Sequence, residues 1–179
     1  MKVSENPLCS NCPMLKVDTT YIKAGVKIHH VGADQTFVPP QIGPSLRILV
    51  GEAAGEEESK QGKPFVGAAG KFLDSLLRKA GINRDELTIV NTLQCRPPGN
   101  HYPGDPASRG YCSEQTAKEI IRHCYKNHVR EVLLSRPWRR LDIVGAHALR
   151  LLTGKGNILM WRGSPLEVDT DEIDKRMNV

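Results

Sequence analysis

A chain of 179 residues, 39% hydrophobic and 25% charged, suits one compact folded domain rather than a disordered or fibrous protein. Its 25 Lys and Arg outnumber its 20 Asp and Glu, for a net charge of +5, which fits a polyanion partner such as nucleic acid and also a mildly basic soluble enzyme. No apolar run approaches the roughly 20 residues of a membrane span, and Lys2, Glu5 and Pro7 interrupt any signal-peptide apolar core, so a cytoplasmic, membrane-free protein is expected.

Residues 1–45 carry few periodic apolar positions and read as an irregular arm, with one short hairpin between Tyr21 and Val31. The arm opens on Cys9-Ser10-Asn11-Cys12, the two-residue gap of metal and cluster sites, which redox pairs share. With Cys95, Cys112 and Cys124 the cysteines number five, and an odd count in a reducing compartment argues against a disulfide framework.

The run Leu46–Val50 reads as a buried parallel strand. A loop dense in Gly and Glu follows, "GEAAGEEESKQGKPFVG". Phe72, Leu73, Leu76, Leu77 and Ala80 then recur at helical spacing, which predicts a helix over 69–80 stopped by Gly81. Leu87–Asn91 is the second predicted strand, and Pro97-Pro98-Gly99 keeps the next loop irregular. Ser113 is a candidate N-cap for a long helix ending before Pro137. Leu141–Gly145 is the third strand, "AHALRLLTG" a short helix, and "ILMW" with "SPLEV" a fourth strand or hairpin. The polar tail, residues 169–179, reads as loose.

Alternating strands and helices predict an α/β fold with a parallel sheet. Ligands of such sheets sit at the carboxyl ends of the strands. The Gly/Glu loop, Asn91 with Cys95, and Gly145 all fall there and are expected to converge.

Two blocks carry a resemblance. "GEAAGEEESKQGKPFVGAAGKFLD" and "VNTLQCRPPGN" resemble the first and second signatures of the family 4 uracil-DNA glycosylases, the iron–sulfur members of that superfamily. "CSNCPM", "LDIVGAHALRLLTG" and "WRGSPLEV" are similar to its other segments, so the resemblance covers roughly residues 8 to 168. It implies a three-layer αβα fold with a central, mostly parallel, four-stranded sheet in a single domain, and a DNA repair enzyme that flips deoxyuridine from single- or double-stranded DNA and hydrolyses its N-glycosidic bond. A monomer is expected unless the chain joins a complex.

The resemblance also implies a structural [4Fe-4S] cluster on Cys9, Cys12, Cys95 and a fourth cysteine. Cys124, about twenty residues before Gly145, matches the family's spacing and is chosen, with Cys112 as the alternative if Cys124 is a core residue. Thiolates are the soft ligands a cluster needs, and zinc on four cysteines is the rival cofactor.

In the pocket the resemblance assigns catalysis to Glu52, Glu58 and Asn91. Substrate binding falls to Gly51, Ala53, Gly55, Phe65 and again Asn91. Phe65 stacks on the base or is an ordinary core ring; Asn91 reads the uracil edge through its two-sided amide or ends a strand. Glu52 and Glu58 activate water or stabilise positive charge on the sugar. Backbone N–H groups from Gly51 to Gly55 meet phosphate or uracil oxygen. Glu56 and Glu57 read as a solvated face, and Lys60, Lys63, Arg96, Lys155 and Arg162 as phosphate contacts.

The sequence departs from the family in two places. Ala54 stands where Pro is usual, and no His-Pro pair occurs, although a late His-Pro motif donates to the uracil anion in the family. Losing one such donor costs on the order of 10²–10³ in rate. Three readings follow: a fragment of a longer enzyme, a slow glycosylase relying on Asn91 and the carboxylates, or a non-catalytic relative that binds DNA or replication proteins.

Overall fold

The computed structural model describes residues 1–179. The arm is ordered by short 3-10 turns at Val3–Glu5, Pro7–Cys9 and Pro13–Lys16, two of which open on proline. Proline's fixed φ suits the first position of a helical turn. The expected hairpin follows as β1 (Asp18–Lys23) and β2 (Val26–Val31), antiparallel with Lys23 opposite Val26. Its two-residue turn, Ala24-Gly25, has positive φ at both positions (48° and 79°), the geometry that matches strand twist.

The central sheet is formed by β3 (Arg47–Ala53), β4 (Thr88–Leu93) and β5 (Arg140–Ile143), all parallel, in the order β4-β3-β5. Alternation along β3 sends Leu49 to one face and Ile48 and Val50 to the other. On the Leu49 face lies α2 (Ala68–Lys79), through Leu77. The opposite face carries α3 (Glu114–Cys124) and α4 (Arg130–Leu134), joined by a π-helical turn at Tyr125–Val129, and α5 (Ala146–Thr153). Helices on both faces make the three expected layers. Ser113 caps α3, accepting from Thr116 N at 3.1 Å.

Three expectations need correction. The sheet has three strands, not four. "ILMW" is a helical turn, α6 (Ile158–Trp161), entered through Asn157 at φ 53°, and "SPLEV" pairs with no strand. Pro165 lacks the N–H a ladder needs. The tail is not loose: Thr170–Met177 form α7. Asp169 caps it by accepting from Asp171 N, and its one fully buried side chain, Ile173, joins the core. Asp174 then accepts from Tyr125 Oη at 2.6 Å and pairs with Arg130 at 2.7 Å. Ile173, with partly buried Met177 and a half-buried hydrogen-bonded ion pair, docks a helix that average composition would leave in solvent. The Gly/Glu loop is also partly regular, since Glu56–Gln61 form α1, closed by Gly62 in the left-handed region. No helix is long and apolar enough to cross a membrane.

On β2, His30 is buried with its Nε2 unpartnered. Burial first, then the nearby Arg96 charge, push its pKa down to about 4. An unfolded chain therefore binds a proton near pH 6.5 that the folded protein refuses until about pH 4. Stability is full above pH 6.5 and falls as pH drops through this window, by about 2 kcal/mol at pH 4.5. Urea unfolding at pH 7 and pH 4.5 should show a smaller difference for His30→Asn than for the unaltered protein.

Candidate functional site

Beyond the carboxyl ends of β3 and β5 the chain opens into a cleft of about 580 Å³. Glu52, Phe65, Asn91 and Gly145 all line it, so the ends of the three strands do meet, while Cys95, expected there with Asn91, lines a separate gap. Gly51, Asn91 and Phe65 share the Leu49 side of the sheet. A Cβ on Gly51 would stand 2.4 Å from Phe65 Cζ and 2.6 Å from Asn91 Oδ1. Only glycine lets ring and amide come together here.

Each wall is held from behind. Phe65 has φ 53°, a conformation that costs a non-glycine residue on the order of 1–3 kcal/mol. Arg84 over-determines it: Nη1 donates to Phe65 O (3.0 Å) and to Asp74 (2.6 Å), and Nη2 donates to Pro64 O (2.7 Å). Gly70 lets this turn rest on α2, since its Cβ would lie 1.9 Å from Phe65 O. The Asn91 side-chain amide, only 2% exposed as a residue, makes no hydrogen bond within the protein. The Asn91 backbone carbonyl, by contrast, accepts from Gln94 Nε2 at 2.5 Å.

Glu52 lies on the other side of β3. Its Oε1 accepts the His147 backbone N–H at 2.9 Å, in the first turn of α5. That end of a helix favours negative charge. Thr92 Oγ1 donates to Glu52 O (2.6 Å) and bonds Tyr102 Oη (2.8 Å). Gly145, at φ 110°, gives Glu52 room, because a Cβ there would meet its Cγ at 2.4 Å.

Glu58 is buried and fully engaged. Oε2 accepts from Gly55 N (3.1 Å), and Oε1 from Val66 N (2.8 Å) and Gly67 N (2.7 Å). One carboxylate thus ties both ends of the loop that carries Phe65. Glu58→Ala leaves three backbone donors without their partner and should destabilise the protein by about 3 kcal/mol, read as a lower urea midpoint. Glu58→Gln, which keeps one acceptor oxygen, should lose less.

Ala53 and Gly55 line the cleft, and Ala54 is buried. Glu56, expected as plain solvated surface, is the hub of a charge cluster with Lys23, Lys60 and Arg96. The lysine hydrogen bonds, foremost that of Lys23, hold its carboxyl down to about 2. Two of the basic residues read as phosphate contacts, Lys60 and Arg96, are thereby engaged within the protein, while Lys155 lies over the Trp161 ring at 4.2 Å. Sequence reasoning missed Arg84, His147, Thr92 and Tyr102, whose contacts span 10 or more residues, and no local motif marks them. It also missed Lys23 and Asn100 at the cleft rim.

A second cluster lies nearby. Cys9, Cys12, Cys95 and Cys124 are all buried and line one tight gap with Phe37 and His128. Cys112 stands apart, half-buried and near Ser108. Cys9 Sγ is 3.2 Å from His128 Nε2, and Gln94 N donates to Cys124 Sγ at 3.3 Å. Burial pushes the Cys9 thiol up to about 11 and the Cys12, Cys95 and Cys124 thiols upward too, with neighbouring cysteines adding to the rise at Cys9, Cys95 and Cys124. Four clustered thiols that resist ionisation on their own are matched to a cationic group that stabilises thiolates. No three of them converge as the ligands of one ion must. The four buried thiols share one apolar cluster, and their soft sulfur donors suit a thiolate-bound metal centre, iron–sulfur or zinc alike.

The uracil DNA glycosylase superfamily model matches residues 39–174. A type-4 uracil-DNA glycosylase of Thermotoga maritima is 49% identical over 73 residues, 41% of this chain and 38% of that protein. Those of Archaeoglobus fulgidus and Pyrobaculum aerophilum are each 33% identical, over 118 residues (66% of this chain, 51% of that protein) and 110 residues (60% and 50%). The chain spans about half the length, or less, of these curated relatives. With three quarters of its length matched by one family and the fold in agreement, the chain belongs to the uracil DNA glycosylase superfamily, where its relatives are of type 4.

Proposed function

We propose that this protein is a uracil-DNA glycosylase that takes an extruded deoxyuridine between Phe65 and Asn91 and hydrolyses its N-glycosidic bond. The observation that carries this reading is the meeting of ring and unpartnered amide across the bare backbone of Gly51. Phe65 offers the base a stacking face. Asn91 offers one donor and one acceptor, the complement of a uracil edge.

Water adds to the sugar C1′ as the bond to N1 breaks, and the departing uracil anion takes up a proton. The sugar passes through a positively charged, oxocarbenium-like state. Glu52 is the carboxylate suited to stabilise that charge or orient the water. One oxygen is fixed by the His147 N–H, and the other has no partner within the protein. Glu58, with both oxygens occupied by backbone donors, acts as a positioning residue for the Phe65 loop. Ala53 and Gly55 present backbone at the cleft for uracil or phosphate oxygens, and Gly51 lies buried beneath Phe65 and Asn91, where it gives them room.

Cys9, Cys12, Cys95 and Cys124 would hold a [4Fe-4S] cluster, which when bound supplies a covalent crosslink. The four residues tie the arm, the loop after β4 and the end of α3 together. The test of the reading is release of free uracil from single- and double-stranded oligonucleotides by anaerobically purified protein. Release from uracil-containing but not thymine-containing strands supports it. Tight DNA binding without release would point instead to a DNA-binding module on the same scaffold.

A further inference from the structure

Glu52 is gripped twice, and the two grips meet. Its carboxylate accepts the His147 N–H (2.9 Å), and its backbone carbonyl accepts from Thr92 Oγ1 (2.6 Å). With the Thr92 proton so committed, Tyr102 Oη donates to Thr92 Oγ1 at 2.8 Å. Tyr102 in turn lies flat on the His147 ring, with centroids 4.0 Å apart and planes 9° from parallel. The contacts close a circle that runs from Glu52 through Thr92, Tyr102 and His147 back to Glu52.

The point of that circle most free to swing is the entry of α5. The His147 N–H belongs to the first turn of the helix, where no carbonyl of the helix is available to it. Gly145, which leads into the helix, must be glycine to clear Glu52, and glycine has the widest backbone freedom. The amide is therefore fixed through the side chain of its own residue. His147 Nε2 lies 3.1 Å from Asp105 Oδ1. Asp105 opens the 3-10 turn Pro106–Gly110, a position where Asp commonly bonds the N–H groups of its own turn, yet its side chain makes no such bond. The carboxylate turns to His147 instead. Tyr102 and Asp105 both come from the loop after β4, so this loop reaches across to the start of α5 and holds it.

We infer that Asp105, His147 and Tyr102 are positioning residues for Glu52: they hold the His147 N–H against one carboxylate oxygen and so leave the other free at the cleft in a fixed orientation. This rests on the glycosylase reading, in which Glu52 serves the sugar. None of the three lines the cleft, so they act through Glu52 and not on the base.

The test begins with Asp105→Ala, whose side chain is 37% exposed, so that its loss leaves the melting temperature unchanged. The kcat for uracil release should fall on the order of tenfold with KM unaltered, because a displaced carboxylate loses alignment and not binding. His147→Ala, which removes the stack and the Asp105 contact together, should lose more. Adding Asp105→Ala to Glu52→Gln should cost nothing further, since residues that act as one unit are not additive. No loss in Asp105→Ala, a raised KM with kcat kept, or the same loss in the Glu52→Gln background would overturn the inference. A second readout needs no turnover. In amide hydrogen exchange followed by NMR, the His147 N–H should exchange about tenfold faster in Asp105→Ala, with the Leu151 and Leu152 amides of α5 unaltered. Unaltered exchange at His147, or exchange raised equally along α5, would overturn the inference. A protein that released no uracil yet showed the local change would lose the glycosylase reading and keep the clamp on Glu52.

Discussion

Asn91→Ala is expected to lower kcat/KM for uracil release by on the order of 10²–10³, with no loss of DNA binding. The amide is buried, faces Phe65 across Gly51 and has no partner inside the protein, so its hydrogen-bonding capacity is free for a ligand. A site built to bond a base edge loses far more when the bond is removed than a purely apolar pocket loses with one methylene. Asn91→Asp should be nearly as damaging, because it replaces the donor with a second acceptor and sets a negative charge against a leaving anion. Phe65→Ala should raise KM more than it lowers kcat, since stacking helps the bound base before and during reaction alike. Single-turnover uracil release measures all three. Full activity in Asn91→Ala would remove the amide from the mechanism.

Cys95→Ala should abolish iron incorporation and the brown colour that goes with it, and lower the melting temperature by roughly 10 °C, the shift expected for about 4 kcal/mol in a chain of this size. Cys95 lies in the loop after β4, beside Cys9 and Cys12 of the arm and Cys124 at the end of α3. Losing it unpins three segments that otherwise pack through a small apolar cluster with Val3, Met14, Leu93 and Ile120. Cys112→Ala, outside that cluster, should keep both iron and melting temperature. Iron content with visible absorption, read beside thermal unfolding, separates the two variants. A protein that binds zinc and stays colourless, with the same dependence on Cys95, would replace the cluster by the mononuclear rival.

The strands and helices that position the cleft were legible because their signals are local. Leu46–Val50 and Leu87–Asn91 are short apolar runs, Phe72 to Ala80 has clear helical spacing, and Gly81 and Gly154 are natural stops. Convergence of the Gly/Glu loop, Asn91 and Gly145 followed from parallel topology alone. What stayed hidden was decided by contacts between distant residues. The tail "DTDEIDKRM" is polar in composition, yet Ile173 and the Tyr125–Asp174–Arg130 network dock it as α7. "ILMW" is apolar enough for a strand, but its neighbours Gly156, Asn157 and Pro165 favour a turn. The two loop carboxylates looked equivalent in sequence. Only three dimensions distinguish Glu58, surrounded by backbone donors, from Glu52, held by a single N–H of α5. Arg84, which holds Phe65 in its left-handed conformation, carries no mark in the sequence at all.

The most direct measurement is a crystal structure of the protein with product DNA and free uracil. The account predicts a uracil ring lying flat on Phe65 with its polar edge on the Asn91 amide, and the sugar C1′ turned toward Glu52. Uracil bound elsewhere, or a Phe65 ring packed onto Asn91 so that no base fits between them, would contradict it.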